Sequence, residues 1–295
     1  VALLRKAGWD TVSVVRAIPT LGRGADTSGY VAMDLSGNFD TRLLPAKADA
    51  VIHLAQSPHF RRFPEKADDI FAVNTATTFH LLEYARKACA SSFILASTGG
   101  VYATVARPLR EDDPLSPLQT LSFYAASKLA AETVSMAYST MFNVQALRFF
   151  FIYGLGQDAS MLIPRLAASV RAGRPVIVQG AEGGMRFNPV YADDAALAVE
   201  AALLLNGGNT INVAGPQTLD IATAARQIGV VTGCEPVFDV RAGETPNHLV
   251  ADISKMSRLL GNPKTTFAEG CALTLSSEFP ISTIPTSCLR HQDSP

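Results

Sequence analysis

A tyrosine and a lysine four residues apart, in Tyr124-Ala-Ala-Ser-Lys128, are the residues of this sequence best placed to do chemistry. On a helix that spacing puts both side chains on one face. The ammonium then favours the phenolate and lowers a tyrosine pKa that is ordinarily about 10. A hydroxyl from Thr98, in Ser97-Thr98-Gly99-Gly100-Val101-Tyr102, can hydrogen-bond the same substrate oxygen. Together the three make a proton donor and acceptor for interconverting a carbinol and a carbonyl. The spacing alone is weak, since seven tyrosines and seven lysines give about 0.2 such pairs by chance. The bland alternative is a surface tyrosine beside a solvated lysine. The position of the pair, behind a strand that ends in a Ser/Thr cluster, singles it out.

Few other side chains point to chemistry. His53 lies inside an apolar strand and reads as a core or near-cofactor histidine, while His59, His80, His248 and His291 form no pattern. Cys89, Cys234, Cys271 and Cys288 are widely spaced and form no CxxC pair. Neither a zinc site nor a disulfide framework is indicated, and no metal is expected. Cys89 closes a helix and is expected to be buried packing. A reduced cytoplasm is the expected setting.

The elements that must position these groups alternate between strand and helix. Residues 1–7 read as a helix tail with Gly8 as its stop. Residues 11–15, 30–33, 50–54, 92–96 and 144–149 are short apolar runs, rich in β-branched residues, that read as buried strands. Residues 67–89 and 122–141 read as long helices, the second carrying Tyr124 and Lys128. Beyond Gly154, helices are expected over 160–172, 193–205 and 218–230, with strands over 175–178 and 210–213. Residues 276–295 are rich in Ser, Thr and Pro and read as a loose tail. This alternation implies an α/β fold, a doubly wound parallel sheet of Rossmann type with a smaller C-terminal substrate domain.

Several motifs resemble those of the extended short-chain dehydrogenase/reductase family, of the sugar epimerase/dehydratase type. Residues 97–102 resemble its "SS-x-x-VYG" turn, and Tyr124 with Lys128 matches its catalytic pair. Asp49-Ala-Val-Ile-His-Leu-Ala55 is similar to "D-x-V-I-H-L-A-A", and Asn74-Thr75 with Leu81-Leu82 to "N-V-x-G-T-x-x-L-L". Leu147-Arg148-Phe149 through Tyr153-Gly154 resembles "L-R-x-F-N-V-Y-G-P", residues 186–194 resemble "R-D-F-V-H-V-D-D", and Ile211-Asn-Val-Ala-Gly215 resembles "Y-N-V-G". The likeness covers roughly residues 1–272, in family order. It implies Thr98, Tyr124 and Lys128 as the catalytic set. It implies a dinucleotide held by Asp34 and Leu35 at the adenine, by Leu54, Ala55 and Asn74 along the sheet, and by Tyr124 and Lys128 at the ribose end. Arg186 would meet a substrate diphosphate, where a guanidinium fork suits phosphate oxygens. An ion pair with Asp193 or Asp194 is the alternative for it. A homodimer through helices 67–89 and 122–141 is implied as well.

Four departures qualify the likeness. The glycine-rich phosphate loop and the first strand, which would lie between the strands at 11–15 and 50–54, are missing. Gly22-Arg-Gly24 is a turn after the second strand position and not that loop. Phe151 stands where the family usually has a substrate-contacting Asn, and Leu155 replaces a Pro. Gly99-Gly100 stands where 4,6-dehydratases carry Asp-Glu, so dehydration is disfavoured. The first residue is Val, and the chain is expected to be an N-terminally truncated form that alone binds dinucleotide poorly. Arg16 ends the strand at 11–15, with no carboxylate until Asp26, which favours NADP over NAD.

The expected domains are a dinucleotide domain of residues 1–158 with 188–214, and a substrate domain of 159–187 with 215–275. The expected activity is NAD(P)-dependent redox chemistry at a carbinol carbon, in an epimerase acting on a nucleotide-sugar-like substrate. An NADPH-dependent ketone or aldehyde reductase and a non-catalytic dinucleotide sensor are the alternatives. Composition allows a sizeable core and argues against disorder: 48% of the 295 residues are hydrophobic and 17% charged. A net charge of −1 gives no basic field for nucleic acid or an anionic membrane. No run reaches the roughly 18 apolar residues of a membrane span.

Overall fold

The computed structural model describes residues 1–18 and 29–278. The Gly22-Arg-Gly24 turn, Asp26, Cys288 and the tail after Glu278 lie outside the described residues. The chain opens with helix α1 (Ala2–Lys6) and strands β1 (Ser13–Val15), β2 (Tyr30–Ala32) and β3 (Ala50–His53). Helices α2 (Ala67–Phe71) and α3 (Thr77–Lys87) follow, then strand β4 (Ser92–Thr98), helix α4 (Phe123–Ala137) and strand β5 (Asn143–Phe149). Next come β6 (Ile152–Tyr153), α5 (Leu162–Arg171), β7 (Val176–Gln179), β8 (Arg186–Phe187), β9 (Val190–Tyr191) and α6 (Ala192–Ala202). The last elements are β10 (Gly208–Val213), β11 (Leu219–Asp220), α7 (Ile221–Thr232), β12 (Phe238–Arg241), α8 (Ser254–Leu259) and α9 (Phe267–Glu278).

Packing divides the described chain into two compact units. One takes residues up to 103, 114–148 and 199–211; the other takes 104–113, 149–198 and the described residues from 212 on.

In the first unit β3 and β4 run parallel, with Ala50 opposite Ser92 and His53 opposite Leu95. The sheet order is β10-β5-β4-β3. The Val144 amide donates to the Gly207 carbonyl and the Phe150 amide to that of Val213, equal steps along both strands, so β5 and β10 are parallel too. Phe93, Ile94 and Leu95 on β4 are fully buried, as an inner parallel strand requires. Leu81, Leu82 and Ala85 from α3 and Ala131 from α4 close this core with Phe93, Leu95 and Val144. β1 pairs with β2 in a separate parallel sheet, Ser13 opposite Tyr30. Among the described residues no ladder joins β1 to β3.

The long helix expected over 67–89 is interrupted. A π-helical turn, Ala72–Ala76, sits between α2 and α3 and carries the buried Asn74. Its side chain is drawn in two directions: Oδ1 accepts from the Ser57 amide at 3.1 Å, and Nδ2 donates to Ser127 Oγ at 3.0 Å. Single π turns of this kind are frequent at functional sites. Cys89 departs from expectation. It is exposed, at φ +58 just past α3, where a left-handed residue ends the helix and leaves the thiol outside the core.

The second unit is built on α5, α7 and α9, whose Ile163, Leu166, Val170, Ile228, Phe267 and Leu275 share one core. β7 pairs with β12 in parallel, β6 with β9 in parallel, and β8 with β11 in antiparallel register. Gly215 is forced by close approach, because a Cβ there would meet the Pro189 carbonyl oxygen at 1.8 Å. Helix α9 runs into residues 276–278, three positions inside the stretch expected as loose tail. Phe267, Cys271 and Leu275, at four-residue spacing, are all buried and hold it. Among the described residues no helix is long and apolar enough to cross a membrane.

Candidate active site

Helix α4 starts where a serine permits it. Ser122 Oγ accepts the Ala125 amide at 3.2 Å, so the first turn opens with Phe123 and Tyr124. From there Tyr124, Lys128 and Glu132 recur at one-turn spacing. Thr98 closes β4, and its Oγ accepts the Gly100 amide at 3.1 Å. Its hydroxyl also hydrogen-bonds the Tyr124 side chain, so the three expected catalytic residues come together. Lys128 is 1% exposed and donates from Nζ to the Ala96 carbonyl at 3.0 Å, two residues before Thr98.

The electrostatics correct one expectation. Tyr124 is not lowered but pushed up to about 12, because burial outweighs the Thr98 hydrogen bond that lowers it. Lys128 is itself brought down to about 8 by burial, with Glu132 opposing, and its ammonium is aimed at a backbone carbonyl. His53 is depressed to about 3, first by burial and then by the charge of Lys128. It is therefore neutral at ordinary pH, and its buried Nε2 has no hydrogen-bond partner.

The other expected residues of this unit follow the strands. Arg16, Asp34, Leu54 with Ala55, and Thr98 lie at or just past the C-terminal ends of β1, β2, β3 and β4. That is the end of a parallel sheet where this architecture binds ligands. The Asp34 carboxylate accepts the Ser36 amide at 2.9 Å and the Ser36 hydroxyl at 2.8 Å. These bonds hold its pKa below the usual carboxylate value, with a smaller contribution from Arg16. The Leu35 carbonyl accepts the Thr77 hydroxyl at 2.8 Å, tying the strand end to α3. Leu54 is exposed, whereas Asn74 is wholly buried with its amide engaged inside the protein. A nicotinamide dinucleotide fits this donor set at two places. An exposed apolar residue and a carboxylate stand at the strand ends, and a paired Tyr/Thr/Lys centre stands beside the His53 imidazole, whose buried Nε2 has no partner. The glycine-rich pyrophosphate loop has no counterpart in the sequence.

Phe151 and Arg186 belong to the second unit. Phe151 sits at φ +46, and its ring packs edge-on against Phe187 at 5.1 Å. Arg186 is exposed on β8, and its amide donates to His248 Nδ1 at 3.0 Å. Among the described residues its guanidinium makes no ion pair with Asp193 or Asp194. Asp194 is buried and accepts the Thr265 amide at 2.8 Å instead.

Two features escaped the sequence reading. The Tyr124 hydroxyl donates to Gln56 Oε1 at 2.7 Å. Glu132 is buried, takes the Ser97 hydroxyl and pairs with Arg148, whose guanidinium lies 4.7 Å from the Tyr102 ring centre. The four-residue step from Lys128 to Glu132 was the available signal for the second. Nothing local marked Gln56.

Thr98, Tyr124 and Lys128 together have the groups that acid/base chemistry at a carbinol carbon needs, and they stand on a parallel Rossmann-type sheet. The sequence pattern of the NAD dependent epimerase/dehydratase family matches residues 1–214, and the chain belongs to that family. It is thus an NAD-dependent enzyme of the extended short-chain dehydrogenase type. The uncharacterized UDP-glucose epimerase YtcB of Bacillus subtilis is 30% identical over 75% of this chain and 72% of its own. The UDP-glucuronate 4-epimerase of Thermodesulfobacterium geofontis is 30% identical over 77% and 71%. The solved structure of MoeE5 in complex with UDP-glucuronic acid and NAD is 26% identical, with a TM-score of 0.77 over 93% of this chain and 92% of that one.

Proposed function

We propose that this protein is a nucleotide-sugar epimerase that works by oxidation and re-reduction at one carbinol carbon. The observation that carries the reading is the contact between Thr98 and Tyr124 with Lys128 one turn behind. Thr98 orients the sugar hydroxyl by hydrogen bonding. Tyr124 takes the hydroxyl proton as the carbon is oxidised and returns it to the carbonyl oxygen after the sugar has turned over. Lys128 supplies positive charge beside Tyr124 and holds the ribose. When bound, the nicotinamide cofactor supplies the acceptor and donor of hydride. Tyr124 at about 12 must come down for this step, and positive charge from the cofactor acts in that direction.

Epimerisation is favoured over dehydration because Gly99 and Gly100 offer no carboxylates for eliminating water. We read the first unit as the dinucleotide-binding part, with Asp34, Leu35, Leu54, Ala55 and Asn74 as its contact or framing residues. We read the second as the substrate-binding part, where Arg186 meets the diphosphate and Phe151 takes a substrate-side position. Its exposure, with no ion pair to the guanidinium among the described residues, supports the role of Arg186. Arg16 favours NADP at the adenosine ribose, although the solved relative holds NAD. The exposed Phe71, Phe79 and Met141 on or beside α2, α3 and α4 support a homodimer through those helices. We read a reduced cytoplasm as the setting, because the cysteines of the sequence are widely spaced and form no CxxC pair.

The test is cofactor balance with UDP-glucose or UDP-glucuronic acid and substoichiometric NAD or NADP. The expected result is conversion of the sugar to its epimer, by nuclear magnetic resonance, without net change in reduced cofactor. Stoichiometric cofactor oxidation or reduction would replace this reading with that of a reductase.

A further inference from the structure

The loop after β3 presents one side chain to the hydroxyl of Tyr124. Gln56 Oε1 accepts that hydroxyl at 2.7 Å. The contact is held from several sides. Ser57, the next residue, is fully buried, with its amide on Asn74 Oδ1 and its hydroxyl on Asp69. The His59 amide donates back to Ser57 Oγ at 3.0 Å, and the Phe60 ring packs 5.2 Å from that of Tyr124. The backbone on the far side of Gln56 is therefore fixed, and its carboxamide meets the oxygen that carries the proton. Gln56 follows Ala55 at a place where the resembling pattern carries a second alanine, which could make no such bond.

A phenol hydroxyl offers one donor, whereas a phenolate oxygen only accepts. A glutamine carries an acceptor and two donors on one planar group, so half a turn about its last torsion serves either state. We infer that Gln56 is a positioning residue for proton transfer, accepting from Tyr124 when it is protonated and donating to it when it is not. This rests on reading Tyr124 as the acid/base. Hydrogen bonds to an ionised partner are roughly twice as strong as neutral ones. Gln56 therefore favours the ionised form on balance and eases the loss of the proton. The titratable groups around the contact are Lys128, one turn from Tyr124, His53 and Glu132, which are coupled to Lys128, and Asp69 and His59, which bond to Ser57; all are common to the variants below.

The experiment places a fluorinated tyrosine at position 124, which brings its titration into the range where the fold is stable, and follows it by fluorine magnetic resonance. Gln56→Leu removes both bonds, and Gln56→Glu leaves only an acceptor. Gln56→Leu is expected to raise the titration point by about one unit, a tenfold change in acid constant, and Gln56→Glu to raise it further. The acid limb of kcat/KM against pH should move the same way. If Gln56→Leu is too unstable, the nearly isosteric Gln56→Met, which also removes both bonds and adds no charge, decides by the same rise. An unmoved or lowered titration point in the folded variants overturns the inference. Failure to turn over any nucleotide sugar would sink the substrate reading without touching this titration. An unshifted titration with wild-type turnover intact would remove Gln56 alone.

Discussion

Glu132 and Arg148 meet in a two-toothed buried ion pair, with Arg148 Nη2 2.7 Å from Glu132 Oε2 and Nε 3.0 Å from Oε1. The Ser97 hydroxyl completes the carboxylate, so α4 and β5 are tied to the residue that precedes Thr98. Breaking a buried pair from one side strands the other charge, at a cost of about 3–5 kcal/mol. Glu132→Gln is expected to lose about that much in urea unfolding, softened by the amide's remaining hydrogen bonds. Adding Arg148→Met should recover most of the loss. A double variant no more stable than the single one would show that the stranded charge is not the cause.

Lys128 makes stability depend on pH in a direction set by burial. Its pKa falls from 10.5 to about 8 on folding, so between those values the unfolded chain binds more protons. Stability therefore rises as pH climbs from about 8 to about 10.5, and below that window the buried charge costs about 3 kcal/mol. Lys128→Met removes the charge and the dependence. The stability difference between wild type and variant should move in the wild type's favour by about 3 kcal/mol across the window. A difference that stays constant from pH 7 to about 10.5 would contradict this.

Much of the fold was legible because inner parallel strands are continuous apolar runs. β4, with Phe93, Ile94 and Leu95, and the α4 face bearing Tyr124 and Lys128 stood where the pattern put them. The two-residue strands β6, β8, β9 and β11 are too short to show a period. Helix α9 was obscured by the Ser- and Thr-rich composition after Leu275, although buried Phe267 and Cys271 hold it. At the site, spacing revealed the pair but not its environment. Burial raised Tyr124 instead of the lysine lowering it, because desolvation depends on neighbours such as Phe60 that are distant in sequence. Gln56 and Tyr124 are 68 residues apart, beyond any local pattern.

Phe151 illustrates a departure with a backbone cost. At φ +46 it occupies the left-handed region, which costs a side-chain-bearing residue roughly 1–2 kcal/mol and suits Asn better. Its ring is nonetheless packed on Phe187, and loss of that contact outweighs the relief. Phe151→Asn is expected to be less stable by about 1 kcal/mol in thermal unfolding. A variant more stable than wild type would show that strain dominates.

Arg16 is placed to decide between the two dinucleotides, at the end of β1 and close enough to Asp34 to lower its pKa. A charge-assisted contact with a 2′-phosphate is worth roughly 1.5–3 kcal/mol, about tenfold or more in affinity. Arg16→Asp should therefore reverse or abolish a preference for NADP. Dissociation constants for both cofactors, before and after, give the answer, and an unchanged ratio would remove Arg16 from cofactor choice.

Tyr124→Phe is the decisive variant, because it deletes the one oxygen on which Thr98 and Gln56 converge and to which the proposed mechanism assigns the substrate proton. The measurement is nucleotide-sugar turnover and dinucleotide affinity in variant and wild type side by side. Loss of the acid/base should lower turnover by about a hundredfold or more, with cofactor affinity nearly unchanged. Turnover within a few-fold of wild type would contradict the assignment of Tyr124 and, with it, the mechanism proposed for this site.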